Sequence, residues 1–278
     1  MTPEIQCISQ GIYKSIPTED VVGCHRRSQS MLVWAIDGAS TLSASPFTTF
    51  GDISDAGWFA RKISDAIPKL ATPSFSTSRL HRQLHTIRRE YFDASSETNP
   101  MHDWPVAAAT VVEIATVSPA RLLVSIHRYA DCFELFHEGR TASNPDHGVP
   151  ARLIQTFDEW KPHSGFAGSE LSQLRSRRCQ QQRNEFGSAL TLNPVSAFNA
   201  KRIELTLNTP AQILVGTDGL SRAWDTYGLM TKAEALKLAA ESGLGALLNA
   251  VRCHEASLAH RADRKRRDDA SGILLSFD

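Results

Sequence analysis

Short runs of apolar and β-branched residues, each ended by a turn signal, recur along most of the chain. They lie at 31–36, 107–117, 121–126, 132–137, 203–207, 212–216 and 272–277. Several follow one another directly, through breaks such as Ser118-Pro119 and Thr209-Pro210. Strands joined by short turns are typical of antiparallel sheets.

Two stretches between these runs show helical periodicity instead. Ser54 or Asp55 is placed to cap a first helix. Its apolar face comprises Phe59, Ile63, Ile67 and Leu70, and a second helix is predicted at 77–92. Near the C-terminus, residues 231–234 form a capping-box sequence that predicts a helix through Ala239. Gly243 then ends this helix, and a further apolar helix is predicted from Leu244 to Leu258.

The order of these elements predicts an α+β fold in which two antiparallel sheets pack together with helices outside them. We expect one domain over residues 1–278. The segment 141–199 is polar and irregular, which is typical of a flap, an insertion or a binding loop.

Composition narrows the function classes. The chain has 278 residues, of which 41% are hydrophobic, with 30 basic and 30 acidic residues. This balance gives no reason to expect nucleic acid or a membrane as a partner. Five dispersed cysteines without a C-x-x-C pair fit free thiols, and no segment is typical of a signal peptide or a transmembrane span. The expectation is a cytoplasmic protein, and its oligomeric state is not indicated.

Acidic residues at the ends of the apolar runs carry the candidate chemistry. Asp37-Gly38 and Asp218-Gly219 each follow such a run, and Asp268-Asp269 precedes another. Each pair alone is a common turn or a solvated charge pair. Together, carboxylates at neighbouring strand ends would repel one another unless a hard divalent cation lay between them. Oxygen ligands of this kind favour magnesium or manganese over zinc.

The order of the motifs resembles that of the metal-dependent protein phosphatases of the protein phosphatase 2C type (PPM), as a divergent, bacterial-like member. The matching segments are Glu19-Asp20, the strand at 33–38 that ends in Asp-Gly, the Ala-Ala-Thr strand at 107–112, the turn at 129–132, the strand at 213–219 that ends in Asp-Gly, and Asp268-Asp269-Ala270-Ser271. They extend from Glu19 to the C-terminus, nearly the whole chain.

This resemblance implies a four-layer α-β-β-α sandwich and two magnesium or manganese ions. Asp37, Asp218 and Asp268 would form the catalytic metal set, with Asp37 bridging both ions and the carbonyl of Gly38 binding one. Asp20 would act as a ligand directly or through water, Glu19 would lie beside the ligands, Asp131 would bind a third, weaker ion, and Asp269 would only complete its motif. The implied reaction is direct attack of a metal-activated water on phosphoserine or phosphothreonine in proteins.

The sequence departs from the family pattern around these residues. Ala39-Ser40-Thr41 replaces the glycines that usually follow Asp-Gly, and no histidine follows there. Lys14 stands near the place of a phosphate-binding arginine, and Ala130-Asp131-Cys132 replaces Gly-Asp-Ser. Two alternatives therefore stay open: a pseudophosphatase that uses the fold as a binding or regulatory module, and a small-molecule phosphoester hydrolase.

Overall fold

Ten strands in the described residues form two antiparallel sheets. The computed structural model describes residues 2–14, 16–44, 49–95, 99–139, 153–154, 157–159, 161–258 and 267–278. The strands are β1 (Glu4–Gln10), β2 (Asp20–Arg26), β3 (Ser30–Gly38), β4 (Val106–Ser118), β5 (Arg121–Tyr129), β6 (Phe133–Glu138), β7 (Leu190–Thr191), β8 (Lys201–Asn208), β9 (Ala211–Gly216) and β10 (Ala270–Phe277). Sheet I has the order β1-β10-β9-β6. Sheet II has the order β2-β3-β4-β5-β8, with β7 pairing to β4.

Six α-helices in the described part accompany the sheets. They are α1 (Asp55–Leu70), α2 (Thr77–Ala94), α3 (Gly168–Gln182), α4 (Asp218–Asp225), α5 (Lys232–Ser242) and α6 (Leu244–Ser257). None of these helices is both long enough and apolar enough to cross a bilayer.

Three separate apolar clusters show how the layers stack. On β3, Leu32, Trp34 and Ile36 pack against α1 and α2, whereas the alternate residues face sheet I. Side chains of successive strand residues point to opposite faces, so a strand buried on both sides needs a continuous apolar run. A third cluster lies between sheet I and α4–α6. The predicted α+β fold is therefore confirmed as a four-layer α-β-β-α sandwich.

Capping sequences account for the helices that the pattern predicted. The side chain of Ser54 accepts a hydrogen bond from the Gly57 N–H at the start of α1. Thr231 and Glu234 form the reciprocal capping box that opens α5, and Gly243 separates α5 from α6. These four helices, α1, α2, α5 and α6, are confirmed close to their predicted bounds.

Five of the described strands and helices were not predicted, one of them the two-residue strand β7 within the segment expected to be irregular. The edge strands β1 and β2 are half-exposed and lack a clear alternation of apolar residues. Helix α3 is polar and lies inside the segment expected to be irregular, and α4 begins at Asp218, where a simple turn was expected. Residues 141–152, 155–156 and 160 of the predicted flap, and 260–266 of the basic run before Asp268, lie outside the described residues.

Candidate functional site

Asp20 and Asp37 lie at the same end of sheet II. Asp20 is the first residue of β2, and Asp37 lies near the end of β3. The two are register partners in the antiparallel ladder. Side chains of partnered residues lie on the same face of a sheet. The register therefore places acidic residues from two consecutive strands opposite each other.

Sheet I supplies the other acidic residues from β9 and β10, which are neighbours. Asp218 follows the end of β9 by two residues, and Asp268 precedes the start of β10 by two. Thr217 links this end of sheet I to sheet II. Its Oγ1 donates to Asp20 Oδ2 at 2.8 Å and accepts from the Ser271 N–H at 3.0 Å. The ends of both sheets are thus fixed together at the acidic site.

The surroundings of the Asp20 carboxylate favour a bound cation. Its side chain is buried, and its Oδ1 atom has no hydrogen-bond partner among the described residues. Burial raises the pKa of Asp20 well above its usual value, and the nearby charges of Asp269, Asp268 and Asp218 raise it further, against the opposing hydrogen bond from Thr217. A buried carboxylate is stable only if it is paired, neutralised or bound to a metal.

Asp269 holds the segment before β2, a role that the sequence did not reveal. Its carboxylate accepts hydrogen bonds from the Ile12 N–H at 2.9 Å, Thr18 Oγ1 at 2.8 Å and the Glu19 N–H at 2.7 Å. The interpretation of Asp269 as a residue that merely completes a motif was too narrow. It fixes where Glu19 and therefore Asp20 lie.

Both carboxylate oxygens of Glu19 accept hydrogen bonds from hydroxyl groups. Its Oε1 accepts from Ser54 Oγ at 2.5 Å, and its Oε2 accepts from Ser40 Oγ at 2.9 Å. Since Ser54 also caps α1, Glu19 joins this helix to the segment after Asp37. Gly38 lies in the same contact, where an added Cβ would come within 2.8 Å of the Ala56 carbonyl oxygen. Packing against α1 is therefore sufficient reason for a glycine at position 38.

A cleft of about 530 Å³ opens over these strand ends. Asp37, Asp131, Asp218 and Asp268 all line it. The opposite wall is one face of α3, formed by Glu170, Leu174, Arg177, Arg178 and Gln181. Asp20 and Glu19 lie behind this surface. Lys14 is exposed and is not among the lining residues, so the structure does not place it where a phosphate in the cleft would need it.

Two arginines support the segments that carry the acidic residues. Arg222 of α4 donates to Asp268 Oδ2 at 3.1 Å and to the Tyr227 hydroxyl at 3.1 Å. Burial alone would lower the pKa of Arg222, but the attraction of Asp268 outweighs it and raises the value. Arg178 of α3 donates to the carbonyl oxygens of Ala39 and Ser40 at 3.3 and 3.4 Å. It thus supports the segment in which the family's glycines are missing.

The donor set fits a hard divalent cation in its chemistry, because the cleft offers several carboxylates and the buried Oδ1 of Asp20. The arrangement is not a finished metal site. Within the described ranges, no three His, Cys, Asp or Glu side chains form a group that could hold one ion. Asp268 is instead held by Arg222 at 3.1 Å.

Ala130 adopts a backbone conformation that normally favours glycine, at φ 58° in the turn before Asp131. The left-handed region costs a residue with a Cβ about 1 kcal/mol or more. We therefore expect Ala130→Gly to raise the free energy of unfolding by about 0.5–1 kcal/mol, measured by urea denaturation. Ala240→Gly in α5 makes the same chemical change in a helix and should lower it by about 1 kcal/mol. Equal effects at both positions would contradict this account.

Comparison with known proteins gives similarity in three dimensions only. No family model and no curated protein matches the chain. Among the similar solved structures, the catalytic domain of the serine threonine protein phosphatase PstP in complex with two manganese ions is 12% identical, with 99% of this chain and 97% of that chain covered and a TM-score of 0.49. RsbX in complex with magnesium is 11% identical over 100% of both chains, with a TM-score of 0.47. The PPM Ser-Thr phosphatase MsPP from Mycobacterium smegmatis is 8% identical over 100% of both chains, with a TM-score of 0.46.

PstP and MsPP are named as serine/threonine phosphatases. The identities and TM-scores are too low to carry an argument about activity or ligands. The interpretation of the site therefore depends on the chain's own residues.

Proposed function

We propose that this chain is a magnesium- or manganese-dependent phosphatase that removes phosphate from phosphoserine or phosphothreonine in proteins. The observation that supports it most directly is the convergence of Asp37, Asp218 and Asp268, from both sheets, on one cleft that faces a basic helix. Carboxylates that can bind cations and arginines that can bind an anion are together suited to a phosphate ester.

The proposed ligands are the carboxylates of Asp37, Asp218 and Asp268, the Gly38 carbonyl and, directly or through water, Asp20. Asp131, exposed at the rim of the cleft, is the candidate for a third ion. Two bound cations would lower the pKa of a water molecule and stabilise the charge that develops on the phosphate oxygens. The chain's own contribution is to position these oxygens: Thr217 orients Asp20, Asp269 fixes the segment that carries it, and Arg222 holds Asp268.

The first test is metal-dependent hydrolysis of p-nitrophenyl phosphate by the full chain. We expect activity with manganese or magnesium that is lost on chelation and restored by adding the metal back, and we expect calorimetry to detect manganese binding. A protein that binds neither ion would refute the proposed enzyme.

A second candidate function is a binding or regulatory module without catalysis. The observation that favours it is the ion pair between Arg222 and Asp268, which occupies one of the proposed ligands, together with the lack of a preformed three-residue metal group in the described part. This candidate predicts no metal-dependent turnover with any phosphoester. Hydrolysis of nucleotides or sugar phosphates in preference to phosphopeptides would instead favour the small-molecule hydrolase.

We further propose that residues 1–278 act as one cytoplasmic domain. The two sheets share a single interior, which contains residues from β3, β4 and β5 on one side and from β9 and β10 on the other. One cooperative unfolding transition, with the same midpoint by fluorescence and circular dichroism, would agree with this, whereas two separate transitions would not.

A further inference from the structure

Three arginines line the acidic cleft, but two of them are committed to other groups. Arg178 donates to the carbonyl oxygens of Ala39 and Ser40. Arg222 is bound to Asp268 and Tyr227 and lies 4.0 Å from Glu255. Guanidinium groups used in this way brace the protein and have few donors left for a ligand.

Arg177 differs from both. It is exposed on the α3 face that lines the cleft, opposite Asp37 and Asp218. No described residue forms a hydrogen bond or ion pair with its guanidinium, whose Cζ lies 5.6 Å from the ring centroid of Phe186. A contact between a guanidinium and an aromatic ring restrains the side chain while leaving its N–H groups available.

The geometry points to Arg177 as the residue that binds the phosphate group in this cleft, an inference that depends on the proposed function. The exposed Lys14 is not among the residues that line the cleft, so it does not compete for this role. The planar guanidinium donates two parallel hydrogen bonds to a phosphate, which a lysine cannot do. Phe186 is the positioning residue, because it restrains Arg177 from the side of the helix.

Apolar residues lie beside Arg177 on the same wall of the cleft. Leu174 lines the cleft one helical turn before it, and Phe166 lies at the approach to α3. An anionic group bound by Arg177 would therefore have an apolar surface beside it for the rest of the substrate. Arg178, next in sequence, interacts with the charges of Glu19, Asp37 and Asp103. Arg177 would therefore bind the substrate, whereas Arg178 supports the protein around the acidic residues.

The decisive experiment titrates inorganic phosphate into the manganese-loaded full chain by calorimetry, and measures phosphate inhibition of p-nitrophenyl phosphate hydrolysis in parallel. Arg177→Ala should weaken phosphate binding about 10- to 100-fold, as expected for loss of hydrogen bonds to a charged group. Arg177→Lys should recover part of this loss, and Phe186→Leu should cause a smaller loss. Manganese affinity should stay unchanged in all three.

Arg183→Ala is the matched control, because Arg183 follows α3, is exposed and pairs only loosely with Glu185 at 4.0 Å. It should bind phosphate like the wild type. The inference is overturned if Arg177→Ala binds phosphate within twofold of the wild type, if Lys14→Ala loses as much, or if the wild-type protein binds no phosphate. Failure of the proposed function would look different: phosphate would still bind through Arg177, but no ester would be hydrolysed.

Discussion

Replacing Glu255 by alanine is expected to lower the free energy of unfolding by about 3–5 kcal/mol. Glu255 on α6 is fully buried, and its Oε2 lies 2.8 Å from Arg252 and 3.7 Å from Arg267, both of which are also buried. Its Oε1 accepts from the Tyr227 hydroxyl at 3.2 Å. Removing the carboxylate would leave the buried guanidinium of Arg252 without its counter-charge and Arg267 with Asp158 alone, at 3.4 Å, which is far more costly than losing an exposed ion pair.

Urea denaturation followed by tryptophan fluorescence measures this change. The matched control is Glu185→Ala, which removes the same group from an exposed pair with Arg183 and should cost less than about 1 kcal/mol. Glu255→Gln keeps the size of the side chain and should fall between the two. A loss below 1 kcal/mol in Glu255→Ala would show that solvent or a rearranged neighbour compensates the arginines.

The Glu255 cluster, defined as Glu255, Arg252, Arg267, Arg222 and Tyr227, connects stability to the candidate site. The Nη2 of Arg252 donates to the backbone carbonyl of Asp268 at 2.9 Å, and Arg222 holds the Asp268 side chain. Both the main chain and the carboxylate of this proposed ligand are therefore fixed from α4 and α6. Damage to the cluster should disturb the position of Asp268 even where the protein still folds.

Local sequence signals were sufficient for much of the fold. The helices α1 and α5 begin at side-chain caps that depend on residues three or four apart, and Gly243 marks a helix break by itself. The central strands were recognisable because they are buried on both faces. Edge strand β1 and the polar helix α3 lack such signals, since their structure depends on pairing and packing with distant segments.

The same distinction applies to the candidate site. Asp37, Asp218 and Asp268 stand at ends of recognisable strands, so their convergence followed from the motif order. The hydrogen bonds of Asp269 to Thr18 and Glu19 join residues about 250 positions apart, and no local pattern indicates them. Nothing in the local sequence separates Arg178, which contacts the Ala39 and Ser40 carbonyl oxygens, from its exposed neighbour Arg177.

Asp37→Asn is expected to reduce metal-dependent hydrolysis of p-nitrophenyl phosphate by about a thousandfold or more, equivalent to roughly 4 kcal/mol of transition-state stabilisation. The side chain keeps its shape but loses the charge with which the proposed bridging ligand would bind both cations. Calorimetry should show manganese binding weakened in parallel. Asp93→Asn, the same change at an exposed position of α2, should leave both activity and metal binding unaltered.

Folding stability separates this explanation from simple disruption of the site. Asp37 lines the cleft, and asparagine has nearly the same shape, so the exchange changes little packing. Metal-free Asp37→Asn should therefore melt close to the metal-free wild type, and only the wild type should be stabilised by manganese. A variant that loses activity and also melts lower without metal would mean that Asp37 stabilises the folded protein rather than binding the metal. One that keeps more than a tenth of the activity would exclude it as the bridging ligand.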